Sequence, residues 1–123
     1  MSDDWQSLCT GDLSIEEERV CIQFANGRHQ WVNVETRVDG FLLTSFVVRG
    51  AVTRSMPDLP LHLWQRNRTT SLVGFRIDAR DRVVGESHVP TVGLTPDEFN
   101  LYLRTIAEEC DRLEWILTGR DIE

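Results

Sequence analysis

Three turn signals and one fully capped helix leave this chain few ways to fold. Asn26-Gly27, Asp39-Gly40 and Ala79-Arg80-Asp81 stand between short β-rich runs. Asn-Gly and Asp-Gly suit hairpin loops because they accept a positive φ cheaply. The run Arg19–Phe24 alternates Val20, Ile22 and Phe24, and Arg28–Val38 alternates Val32, Val34 and Val38. Period-two alternation marks strands with one buried face. A two-residue loop on Asn26-Gly27 sets Trp31 opposite Ile22. A three-residue loop, Ala25-Asn26-Gly27, sets Val32 opposite Val20 and Gln30 opposite Ile22. A one-residue slip moves every side chain to the other face, so the second register, which aligns the valines, is preferred.

The third run, Phe41–Val52, is apolar on both faces. Phe41, Leu43 and Val47 alternate with Leu42, Phe46 and Val48. A half-exposed strand should show one polar face, so both sides of the sheet call for cover here. Trp31 on the neighbouring run points the same way. Pro57 and Pro60 then frame a short helix, Leu59–Asn67, with Asp58 as its expected N-cap. Two further strands follow: Ser71–Asp78, with Gly74 leaving a gap for close approach, and Arg82–Val89. At the front, residues 3–10 fit a short helix carrying Trp5 and Leu8, and Ser14–Glu18 reads as a solvated acidic approach.

The last helix has strong end signals. Thr95, Pro96 and Glu98 make a capping box with proline at the first helical position. Phe99, Leu103, Ile106, Cys110, Leu113 and Leu117 recur every three or four residues, the stripe of a helix lying on a core. Gly119 is placed to end it. The expectation is one α+β domain over 1–123, with a five-stranded, mainly antiparallel sheet and a long C-terminal helix. The strands form a three-strand meander, then a helix, then a hairpin.

Composition excludes more than it selects. At 123 residues, 41% apolar and 27% charged, one core is feasible without staples. The net charge of −7 argues against a nucleic-acid partner, which needs a basic footprint. No apolar run is long enough to span a membrane and no signal peptide is evident, so cytoplasm is expected. Charge is uneven: residues 40–82 hold seven Arg against three Asp, while 1–39 and 83–123 hold eight and nine acids against three Arg each. Within the basic middle, Arg66 and Arg68 could contact an anionic group.

Catalytic chemistry has no constellation. His29, His62 and His88 lie in different elements, and no metal-ligand spacing occurs, so neither metal nor cofactor is expected. Cys9, Cys21 and Cys110 are odd in number and widely spaced, which is no disulfide framework. Cys21, pointing away from the core face, is the one thiol reachable from outside, with His29 or His88 as conceivable bases. The acids Glu108, Asp111 and Glu114 suit the outer face of a helix. No enzyme is expected.

Three segments carry a family resemblance: RVCIQFANGRHQWVNV, LPLHLWQRNRTTSLVGFRID and LTPDEFNLYLRTIAEECDRLEWILTGRD. They resemble the type III secretion chaperone-like fold and the related YbjN-type sensory transduction regulators. In such proteins a leucine-rich short helix ends at an Asn before a strand containing a Gly, as with Leu61, Leu63, Asn67 and Gly74. An LTP-E motif and a terminal Thr-Gly-x-Asp also recur, matched by 94–98 and 118–121. The front departs, since residues 3–10 stand where the chaperones have a substantial first helix. The resemblance implies a small acidic homodimer holding an extended protein segment against apolar patches. The function expected is non-enzymatic protein or peptide binding, as a chaperone-like or regulatory adaptor; the alternative is a regulatory domain for a small anionic ligand. Trp31, Phe41, Leu43, Phe46 and Val48 are the expected partner or dimer surface.

Overall fold

The first hairpin adopts the register its valines require. In this computed structural model, which describes residues 5–9, 11, 13–70 and 72–118, Val20 pairs with Val32 and Ile22 with Gln30. Gly27 has φ 89°, and its N–H donates to Phe24 O at 3.0 Å, closing the three-residue loop. The strands here are β2 (Arg19–Gln23) and β3 (His29–Arg37).

Six strands form one antiparallel sheet, not the five expected. The added strand is β1 (Ser14–Glu16), paired to β2 around a turn at Glu17 (φ 58°) and Glu18. All three of its side chains are exposed, so no alternation betrays it. The others are β4 (Gly40–Val48), β5 (Gly74–Ile77) and β6 (Val83–Pro90), in the order β1-β2-β3-β4-β6-β5. The β3–β4 loop is Val38-Asp39, since Arg37 pairs with Gly40. Gly40 is needed for packing: a Cβ there would lie 2.3 Å from Val89 O on β6.

The strand expected to run to Val52 stops at Val48. After Arg49 the chain turns into a helix of five residues, α1 (Gly50–Arg54). Just before its end β4 carries a bulge, its pairing with β6 shifting between Phe46 and Val48. The extra residue turns both Val47 and Val48 inward.

One face of the sheet is covered by α3 (Pro96–Thr118). Its expected stripe is buried from Phe99 to Leu117. The capping box forms: Glu98 N–H donates to Thr95 Oγ1, and Thr95 N–H to Glu98 Oε1, both at 3.2 Å. Gly119 lies outside the described residues. The close approach expected at Gly74, where a Cβ would meet open space, occurs at Gly85 instead. A Cβ on Gly85 would stand 2.5 Å from Cys110 Sγ. A 3-10 turn, Trp5–Leu8, closes one end of this layer. Trp5 is buried 6.5 Å from the Phe99 ring, and Asn100 Nδ2 donates to Leu8 O at 2.7 Å. The short helix α2 (Leu59–Asn67) flanks β5 and buries Leu59 and Leu63; Asp58 precedes it without a side-chain cap.

Candidate functional site: the open face of the sheet

Alternation that sends Val20, Val32, Leu43 and Val83 under α3 sends their neighbours to the opposite face. There stand Cys21 on β2, Trp31 on β3, Leu42 and Phe46 on β4, and Val84 on β6. Among the described residues no helix lies across them, and side chains alone shield them. Leu42, Cys21 and Val84 are buried by their neighbours, Trp31 is half-buried, and Phe46 is 45% exposed.

Charged pairs ring this apolar centre. Arg76 meets Glu86 at 2.6 Å, Arg37 meets Glu35 at 3.0 Å, and Arg19 meets Glu16 at 2.7 Å. The Arg19 guanidinium lies 3.9 Å from the centre of the Trp31 ring, and His29 meets the same ring edge-on. A cation stacked on an indole holds the ring flat at little entropy cost. An apolar centre with a polar rim is the layout of a protein-binding patch.

The five expected surface residues do not share one face. Phe41, Leu43 and Val48 are core, and the Phe41 ring meets Phe99 at 5.6 Å. Trp31 and Phe46 alone come to the open face, beside Leu42 and Val84. Alternation about Phe46 could have added Val84; the bulge that withdraws Val48 left no sequence signal.

Near Phe46 the sheet itself parts. Backbone pairing between β3 and β4 runs from Arg37–Gly40 to Asn33–Thr44. Beyond it, two side chains take over. Gln30 Nε2 donates to Phe46 O at 2.7 Å and to Ser45 Oγ at 2.8 Å, and Ser45 Oγ donates to Trp31 O at 2.7 Å. Both Nε2 hydrogens of Gln30 and both the donor and the acceptor of the Ser45 hydroxyl are thereby used. A groove of about 700 Å³ opens beside the parting, lined by Phe46, Val48, Arg49, Val52, Arg28 and Glu114. Arg28 is held there by Asp111, through two bonds of 2.7 and 2.9 Å, and by Glu114 at 3.7 Å. Burial pushes the Glu114 carboxyl above its usual range, and the Arg28 charge opposes that shift.

The expected anionic contact does not assemble as one site. Arg66 reaches Glu109 on α3 at 3.5 Å, and Arg68 lies over the Trp64 ring at 5.0 Å. Burial raises the thiol of Cys9 to about 11 and that of Cys110 to about 12. Cys21 is raised for the same reason, partly offset by Arg19. None is an activated nucleophile. Among the described residues no three His, Cys, Asp or Glu side chains gather to hold a metal, and no helix is long and apolar enough to cross a membrane.

Solved structures share this architecture. A chain of the heterodimeric ExoU–SpcU complex, from the type III secretion system of Pseudomonas aeruginosa, superposes with a TM-score of 0.55 at 19% identity. The match covers 80% of this chain and 82% of that one. A chain of the ExsC–ExsE complex gives 0.50 at 18% identity, over 85% of this chain and 80% of that one. At such identities the likeness is one of fold. No curated protein matches this chain significantly. The YbjN family, described as "Putative bacterial sensory transduction regulator", matches residues 7–114, most of the sheet and helix just described. The chain therefore belongs to the YbjN family.

Proposed function

We propose that this protein is a non-enzymatic binding module, a regulatory or chaperone-like adaptor that engages a protein or peptide through the open face of its sheet and forms a homodimer there. One observation carries the reading: a central strand, β4, presents apolar side chains to a face that no helix among the described residues covers. Leu42, Phe46, Val84 and Trp31 form one patch around it. Leu42 and Val84 are already sheltered within one subunit, so the gain on association comes from Phe46, 45% exposed, and the half-buried Trp31. Each contributes part of the roughly 1.5–3 kcal/mol that full burial of a large side chain is worth, before the entropy cost of association. The two similar structures named above come from protein–protein complexes, which supports a protein as partner. A two-fold contact uses the same patch on both subunits and buries roughly 1,200–2,000 Å² in all if stable. Glu109 and Trp64 already engage Arg66 and Arg68, and the buried Arg66 Nε, left without a partner among the described residues, is not joined by Arg68 in an anion site.

Sedimentation over a concentration series tests the dimer. Wild type is expected to sediment as a dimer at high micromolar concentration, and Trp31→Asp and Phe46→Asp as monomers with unchanged circular dichroism. A wild type that stays monomeric at that concentration overturns the homodimer and leaves the face to a different protein.

A further inference from the structure

The sheet ends on one side at β5, and an edge strand offers unpaired N–H and C=O groups to any other strand. Here one side chain meets them. Asn67, the last residue of α2, donates from Nδ2 to Phe75 O at 2.9 Å and accepts from Phe75 N–H at Oδ1 at 2.8 Å. Those are the two bonds that a directly opposed residue of an antiparallel partner strand would make with Phe75. The carbonyl just before β5 is closed in the same manner. Thr70 Oγ1 donates to Val73 O at 2.6 Å, on the same outward side as Phe75, whereas Leu72 O faces the sheet and is met there by Ser87 of β6. At the other end of the sheet, β1 is only three residues long.

We propose that the Asn67 carboxamide is a strand mimic that plugs the β5 edge and ties the end of α2 over it, and that once those two bonds are lost and the end of α2 swings aside, β5 pairs antiparallel with β5 of a second copy. Phe75 lies opposite itself in such a pair, so one two-fold axis lets the two Phe75 residues exchange both bonds that Asn67 now supplies. The plug denies that edge to strand addition. It stands apart from the open face, which is reached through Trp31 and Phe46, so the two claims fail separately.

The test is sedimentation of Asn67→Ala with amide hydrogen exchange at Phe75. The variant is expected to associate beyond wild type, its mass rising with concentration where the wild-type mass has levelled off. Its Phe75 amide should exchange rapidly when dilute and slowly when associated, whereas wild-type exchange is slow throughout. Adding Trp31→Asp leaves the new step in place. Adding Gly74→Lys, where a side chain meets open space, abolishes it by charging the edge. If Asn67→Ala does not fold, Asn67→Asp replaces it, keeping the acceptor and losing the donor. A folded variant with wild-type mass and concentration-independent Phe75 exchange overturns the proposal and leaves Asn67 a local clamp between α2 and β5. Association that survives Gly74→Lys overturns it as well.

Discussion

The two faces of the sheet are built from the same strands and differ in what finishes them. On the covered face, Leu43, Val32 and Val83 meet the stripe of α3 and are excluded from water completely. On the open face, Leu42, Val84 and Trp31 are sheltered only by neighbours standing on the same sheet, and Phe46 is left half in water. Strand β4 is thus apolar on both sides for two reasons: one side specifies the fold, and the other is finished within the described fold at Leu42 but not at Phe46. Substitutions should divide the faces accordingly, by stability on one side and by association on the other.

The widest separation is expected between Leu103→Ala and Phe46→Ala. Leu103 is fully buried against the sheet, so its loss removes transfer energy and leaves a cavity, costing about 2–5 kcal/mol. Phe46→Ala should cost under about 1 kcal/mol and act on association instead. Denaturant unfolding of both variants checks this. Equal losses would mean that the open face is a second core.

Much of this contrast was legible in the sequence, because it rests on periodicity. The meander register, the α3 stripe and the capping box follow from Val20/Val32, Phe99–Leu117 and Thr95/Glu98, where local chemistry and burial agree. What stayed hidden depends on contacts far along the chain. β1 carries no alternation because all its side chains are exposed. The bulge that moves Val48 into the core is fixed by pairing with β6, some forty residues later. Helix α1 forms where the apolar run looked like more strand. Of the five residues expected on a surface, Trp31 and Phe46 lie on the open face, whereas Phe41, Leu43 and Val48 are buried; they looked like surplus because the reach of α3 is tertiary.

The covered face also sets how near the helix can come. Gly85 on β6 lets Cys110 sit against the sheet, where its thiol lies 3.8 Å from Ser45 O. Gly85→Ala places a methyl 2.5 Å from that sulfur. Overpacking of this kind costs about 1–3 kcal/mol. Because the shortest contact is with the Cys110 sulfur and Phe75 stands farther off at 3.2 Å, Cys110→Ala should relieve part of the clash, and a double-mutant cycle of melts should be non-additive. Additive losses would place the strain elsewhere.

A smaller effect concerns where the cover begins. Thr95→Ala removes the hydroxyl that accepts from Glu98 N–H and costs about 1 kcal/mol. An unchanged melting temperature would mean that the first turn is held by other contacts, with Pro96 as the candidate.

The smallest expected effect is also the most direct report on the open face, since the faces hold one buried thiol each. Cys110 sits on the inner side of α3 and is pushed up to about 12; Cys21 stands on the open face paired with Trp31, next to Arg19, and is raised as well, mainly by burial. A raised value in the folded state means that folding holds the proton. That contribution is complete below the unfolded thiol's pKa of about 8.5 and declines as pH rises toward the folded values. Above pH 9, then, stability should fall, more through Cys110 than through Cys21. Below it, alkylation by iodoacetamide should separate them by access. Cys110 is modified only when the protein unfolds, whereas Cys21 needs only the Trp31–Arg19 stack to shift. A second copy on the open face adds a further barrier, so Cys21 should be alkylated more slowly as protein concentration rises, and Phe46→Asp should remove that dependence. Should Cys21 react at one rate across the concentration series while sedimentation shows a dimer, the dimer is built on some other surface and the open face remains free for a different protein.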